Sequence, residues 1–201
     1  MNKINIVYVD DDLDSNISRY LVREYQPLNF DKKYDEIHFI SEEGYESLIN
    51  NQIIKEANIV LIDSKLFEND RVSTGKFSGE EFKMILKKIF PFIEVIVITQ
   101  NELEEEYGTI SKFRGGAEEP PLEYYGDKLK KALDYSVINV NIYRNIADKL
   151  KLNEGIDKVL IEKIMNSLDG SSQYEELTTD DIDDIINAFK ELQRDIDEKG
   201  L

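Results

Sequence analysis

The stretch that most constrains this chain is Ala57 to Asp63, ANIVLID, a short aliphatic and β-branched run that stops on a carboxylate. A run this short and this continuous reads as a strand buried on both faces, as parallel strands are. Two other runs stop in the same way. Ile4 to Val9 is followed by Asp10, Asp11 and Asp12, and Phe92 to Ile98 is followed by Thr99. In open α/β sheets, ligands bind outside the carboxyl ends of the strands. If these three strands are parallel neighbours, carboxylates and a hydroxyl converge on one small patch.

The segments between the runs have helical periodicity. Ile17, Leu21 and Tyr25 are spaced for one face of a helix from about Asp14 to Tyr25, closed by Pro27. A second strand is expected over about Glu36 to Ile40, and Ser41 opens a helix that runs to about Ile49 or beyond. Phe82, Ile85, Leu86 and Ile89 mark a helix over Gly79 to Ile89, ended by Pro91. Beyond Thr99, Glu102 to Tyr107 holds at most two helical turns. A fifth strand is expected over Thr109 to Phe113, and a helix from near Tyr124 or Asp127 to about Leu150. Strands alternating with helices predict an α/β fold, a flavodoxin-like doubly wound five-stranded parallel sheet in the order 2-1-3-4-5. That order places the ends of the first, third and fourth strands side by side.

Composition removes several classes of function. The chain has no Cys, so disulfides, thiolate metal sites and a cysteine nucleophile are excluded. No apolar run approaches the roughly 20 residues that span a bilayer, and no signal-peptide pattern is seen, so a cytoplasmic protein without a membrane role is expected. The net charge of −17 argues against direct nucleic-acid contact, which needs clustered Lys and Arg. The densest basic stretch, Lys128 to Lys131, is one helix face. His38 is the only histidine and has no partner for metal or acid–base work, so it reads as a strand residue.

A carboxylate cluster at a sheet edge is costly unless a cation neutralises it. Carboxylate oxygens suit Mg²⁺ better than a transition metal. With the metal bound, one carboxylate can attack a phosphoryl group, while a nearby hydroxyl and ammonium, such as Thr99 and Lys112, hold its oxygens. The residues that carry this pattern are the Val9-Asp10-Asp11-Asp12 end of the first strand, Ile62-Asp63, Ser78-Gly79-Glu80-Glu81, Ile98-Thr99 and Lys112. In this ordered set, over about residues 1–150, the chain resembles the receiver domain of two-component response regulators. The resemblance implies that Asp63 is the phosphoacceptor and that Asp10 and Asp11, with Asp63 and the Lys65 main-chain carbonyl, bind Mg²⁺. It also implies that Thr99 is the switch hydroxyl and Lys112 the phosphate-contacting lysine. A histidine kinase or small phosphodonor would supply the phosphoryl group, with no catalysis beyond transfer to and from Asp63.

The chain departs from that family in its readout face. The loop after Asp63 is long. Lys112 follows Thr99 by only 112 − 99 = 13 positions, Phe113 stands where the family has proline, and Thr109 where it often has an aromatic residue. Two other functions compete. One is a pseudo-receiver scaffold that never takes phosphate. The other is a haloacid-dehalogenase-like phosphatase, with Asp10 as nucleophile, Thr99 as its second motif and Gly126-Asp127 as a late one.

Residues 151–201 read as an acidic helical module, with six basic and fourteen acidic residues. Helices are expected over Gly155 to Leu168 and from about Asp180, the latter with Ile182, Ile185, Ile186, Phe189, Leu192 and Ile196 on one face. A DNA-reading output module would be basic, so its partner is expected to be a protein. Leu129, Leu133, Val137, Val140, Tyr143, Ala147 and Leu150 form a stripe on the preceding helix. It packs on the sheet or, read as a heptad seam, pairs two copies into a homodimer.

Overall fold

Alternating side-chain direction divides each central strand between two cores. Ile4, Ile6 and Tyr8 of β1 (Lys3–Asp10), Ile59 and Leu61 of β3 (Ile59–Asp63), and Ile96 and Ile98 of β4 (Glu94–Thr99) belong to one buried cluster. Val7, Val9, Val60, Ile62, Val95 and Val97 belong to the other. This is the period of two expected of strands buried on both faces. Each such aliphatic side chain contributes about 1.5–3 kcal/mol by leaving water. The structure is a computed structural model and describes residues 3–67, 78–100, 109–113, 120–152 and 158–168.

With β2 (Asp31–His38) and β5 (Thr109–Ser111), the strands form one five-stranded parallel sheet in the order 2-1-3-4-5. This is the flavodoxin-like order. Val9 pairs with Ile62, Asp63 with Ile98, and Thr99 with Ser111, so the three polar strand ends lie level along one edge.

Helices cover both faces. α1 (Ser15–Arg19) is capped by Asp14, whose side chain accepts from the Asn16 N–H at 2.8 Å. The helix expected to run on to Tyr25 widens instead into a π turn over Tyr20–Glu24, closed by the Tyr25 N–H donating to the Tyr20 carbonyl at 2.9 Å. Lys32 of β2 donates to the Leu21, Val22 and Tyr25 carbonyls and so caps this turn with positive charge.

Across the sheet lie α2 (Gly44–Asn50), α3 (Gln52–Lys55) and α4 (Gly79–Ile89). The helix expected from Ser41 is broken twice, by a 3₁₀ turn over Ser41–Glu43 and by Asn51, whose side chain caps α3. Gly44 makes the first break at φ 69°, a left-handed conformation that favours glycine. α4 starts with a capping box: Glu81 N–H donates to Ser78 Oγ, and Ser78 N–H to Glu81 Oε2.

α5 (Pro121–Lys151) starts earlier than Tyr124 because proline suits the first helical turn. It packs Leu129, Leu133, Val137 and Val140 on the α1 side of the sheet. At about 46 Å it is much longer than β1 at about 26 Å, so it overhangs the sheet. Glu94, at the start of β4, fixes its path by accepting from Asn139 and Tyr143 of α5 and from Lys87 of α4. α6 (Lys158–Leu168) packs back on α5. No described helix is long and apolar enough to cross a membrane. The expected Glu102–Tyr107 turn, the 155–157 helix start and the helix from Asp180 lie outside the described residues.

Candidate functional site

Asp10 ends β1 and Asp63 ends β3, and the strand period points both to the α1–α5 side. Lys112 follows β5. Its Nζ lies 2.9 Å from Asp10 Oδ2 and 2.8 Å from Asp63 Oδ1. The ammonium thus bridges two carboxylates that come from strands side by side in the sheet. Its main-chain N–H donates to the Thr99 carbonyl at 2.6 Å, fixing where the side chain starts. Burial acts to lower the Lys112 pKa, but the hydrogen bonds to Asp63 and Asp10 and their charges outweigh it. The pKa ends above the ordinary lysine value.

Both acids are tied down further. Asp63 Oδ2 accepts from the Lys65 N–H at 2.8 Å. Asp10 Oδ1 accepts from the Asp12 N–H at 3.1 Å, and Oδ2 also accepts from the Tyr8 hydroxyl at 2.6 Å. Asp10 is only 1% exposed and Asp63 6%. Asp11 is less buried. Its carboxyl pKa is raised, first by desolvation, then by a hydrogen bond with Asp10 and by the charges of Asp10 and Asp63. The three carboxylates therefore feel one another, and one ammonium does not balance them.

Thr99 lies on the opposite side of the strand period, with Ser64. Ser64 Oγ donates to Thr99 Oγ1 at 3.1 Å, and both residues are buried. The structure thus joins Asp10, Asp63 and Lys112 directly, places Asp11 within their field, and attaches Thr99 through Ser64 and the Lys112 main chain. Gly79 N–H donates to the Ser64 carbonyl at 2.7 Å. A Cβ at Gly79 would meet the Asp63 carbonyl oxygen at 2.6 Å and Ser64 Cα at 2.8 Å, so only glycine lets α4 abut the turn after Asp63.

A tyrosine network supports these acids. Tyr8 hydroxyl donates to Asp10 and accepts from the Asp14 N–H at 3.2 Å. Tyr125 of α5 donates to Asp14 Oδ2 at 3.2 Å and accepts from the Phe113 N–H at 3.0 Å. Burial, then the nearby Asp10 charge, pushes the Tyr8 pKa far up, so the phenol is a fixed donor. The one available signal was that Tyr8 precedes Asp10 by two positions and so shares its strand face. Asp14 thus joins this network while also capping α1. His38 is exposed at the end of β2 and lies beside Asp10 in register.

An open cleft of about 510 Å³ borders the cluster, lined by Asp12, Leu13, Asp14, Gln100, Lys112 and Phe113. The donors beside it are hard oxygens with excess negative charge, which fits Mg²⁺ in type. As they stand, among the described residues, no three acidic or histidine side chains are grouped to hold a metal, and the Lys112 ammonium lies between Asp10 and Asp63. Neither a scan of protein-family models nor a search of curated proteins gives a match to this chain.

Proposed function

We propose that the protein is a phosphoacceptor switch, in which Asp63 accepts a phosphoryl group from a histidine kinase or small phosphodonor and hands the change to the C-terminal helices. The observation that carries this reading is the Asp10–Lys112–Asp63 bridge on neighbouring parallel strands. An ammonium already on the acceptor carboxylate is where a transferred phosphoryl group needs positive charge.

In this reading an Asp63 carboxylate oxygen attacks phosphorus. The bond from phosphorus to the donor breaks, the leaving group takes its electron pair, and an acyl phosphate results. Lys112 stays at Asp63 and turns to a phosphoryl oxygen. Thr99 exchanges its bond with Ser64 for one to another oxygen. Asp10, Asp11, Asp63 and the Lys65 main-chain carbonyl would hold Mg²⁺, which when bound offsets repulsion between the carboxylates and the incoming group. Movement of Lys112 and Asp10 reaches α5 through Tyr8, Asp14 and Tyr125.

The pseudo-receiver scaffold is the second reading. It is favoured by the full engagement of the Asp10 and Asp63 oxygens. A phosphatase using Asp10 is set aside, because Asp10 is the more buried acid and is held by three donors. Incubation with acetyl phosphate and Mg²⁺, followed by intact-protein mass, separates the readings. The switch gives one phosphoryl adduct, lost in Asp63→Asn. The scaffold gives none under conditions that label a control receiver.

A further inference from the structure

Lys112 carries the bridge between the two acids, yet β5 gives it little support. That strand is three residues long and pairs with β4 through Thr109, Ile110 and Ser111. Lys112 adds one bond on the same side, from its N–H to the Thr99 carbonyl. A lysine ammonium rides on a flexible four-carbon stem. It stays on two fixed carboxylates only if the main chain from which it springs is fixed as well.

Along a strand, the main-chain groups of successive residues turn alternately to one neighbour and to the other. The Lys112 N–H turns to β4, so the Ser111 carbonyl and the Phe113 N–H turn to the far side of β5, the end of the sheet. Two consecutive tyrosines of α5 take these two groups. The Tyr124 hydroxyl donates to the Ser111 carbonyl at 3.0 Å, and the Tyr125 hydroxyl accepts from the Phe113 N–H at 3.0 Å. The hydroxyls make the bonds that a further strand would make. Their platform is firm. The Pro120 carbonyl closes the first turn of α5 by accepting from the Glu123 and Tyr124 N–H groups at 3.0 and 3.1 Å. The Tyr124 ring meets Phe113 and Tyr125 edge-on, with centroids 5.6 and 5.4 Å apart. Tyr125 is 1% exposed, and its proton goes to Asp14 Oδ2.

We infer that Tyr124 and Tyr125 are positioning residues for Lys112. They hold the main chain on both sides of it, so its seat on Asp10 and Asp63 depends on where α5 begins. The dependence is reciprocal: a shift of the first turns of α5 moves Lys112, and a pull on Lys112 is felt by α5. This tie acts on the main chain of the lysine, whereas the one through Tyr8 and Asp14 acts on an acid. It stands whether or not Asp63 takes a phosphoryl group.

The test measures how firmly Lys112 is held. Reductive methylation of the full-length chain, followed by peptide mass mapping, gives a rate for each lysine, with the exposed Lys149 near the other end of α5 as internal reference. An ammonium seated on two acids reacts slowly. Tyr124→Phe with Tyr125→Phe keeps both rings, removes both hydroxyls and should speed methylation of Lys112 about fivefold relative to Lys149. Tyr25→Phe is the control. It removes another buried hydroxyl, which ties the π turn to Asp134 of α5, and should leave the Lys112 rate unchanged. An unchanged Lys112 rate in the folded double variant would overturn the inference. An equal rise in Tyr25→Phe would overturn it too, because the effect would then be a general loosening. If the double variant does not fold, Tyr124→Phe alone removes a partly exposed hydroxyl and carries the test, with a rise of about twofold expected and no rise overturning the inference. Labelling of the same proteins with acetyl phosphate is read separately, so a wild type that takes no phosphoryl group counts against the phosphoacceptor and leaves the Lys112 result standing.

Discussion

The interior of the central strands and their carboxyl ends are equally buried but differently held. Ile6, Leu61 and Ile96 sit together in one buried apolar cluster, held by contacts that have no preferred direction. Asp10 and Asp63, at the carboxyl ends of two of these strands, depend on a few named donors: Lys112, Tyr8 and the Lys65 and Asp12 N–H groups. The interior supplies most of the stability through non-directional burial. The edge is polar, directional and charge-imbalanced, which is a poor way to stabilise a fold and a good way to hold a reactive carboxylate.

Mutations separate the strand interior from its edge. Leu61→Ala removes a fully buried side chain from the sheet centre and is expected to cost about 3–5 kcal/mol in urea unfolding. Its folded fraction should still be labelled at Asp63, and loss of labelling in that fraction would mean the edge is not separable. Lys112→Met leaves two buried carboxylates uncompensated and should cost about 3 kcal/mol. Mg²⁺ should restore more of the stability of this variant than it adds to wild type, because a cation then replaces the missing one. Equal Mg²⁺ effects on both proteins would remove the metal from the account. Gly79→Ala forces α4 off the turn after Asp63 and should cost about 1–3 kcal/mol.

Tyr8→Phe removes one donor to a buried carboxylate and should cost about 1–2 kcal/mol. The pH dependence follows from the raised pKa values of Tyr8 and Lys112. In the unfolded chain these groups lose their protons near 10.0 and 10.5, whereas in the folded protein they keep them to higher pH. Their contribution is therefore complete below pH 10 and falls as pH rises above it. The urea midpoint should drop as pH rises from 10 to 11 in wild type, and Tyr8→Phe with Lys112→Met should lessen that drop, leaving the part due to Tyr25, Tyr34 and Tyr125, whose pKa values are raised in the same direction. The smallest effect is expected for Asp11→Asn. Because the folded state disfavours the Asp11 charge, its removal should raise the melting temperature slightly at pH 7. A lower melting temperature would mean that Asp11 is not repelled by its neighbours.

The strand interiors were legible in the sequence because burial on both faces writes an unbroken apolar run. β2 was less so. Its Lys32, Lys33, Asp35 and Glu36 belong to an edge strand, where charge discourages further pairing, and they hid a strand that starts at Asp31 rather than Glu36. The π turn at Tyr20 left no mark, since one extra residue in a turn does not disturb the apolar spacing that predicts the helix. At the site, Asp10, Asp63 and Thr99 were readable as abrupt polar ends of apolar runs. Lys112 was readable only as an ammonium near the end of a short fifth strand, because its reach to two acids depends on how β5 pairs with β4. The Tyr8–Asp14–Tyr125 network needs three separate elements to meet, and no local pattern encodes that.

The most direct measurement is the mass of the intact protein after acetyl phosphate treatment, with and without Mg²⁺, for wild type, Asp63→Asn and Asp10→Asn side by side. A phosphoacceptor at Asp63 gives a single Mg²⁺-dependent phosphoryl adduct on wild type, abolished in Asp63→Asn. An adduct that survives in Asp63→Asn and disappears in Asp10→Asn would contradict it, as would no adduct on wild type while a control receiver is labelled.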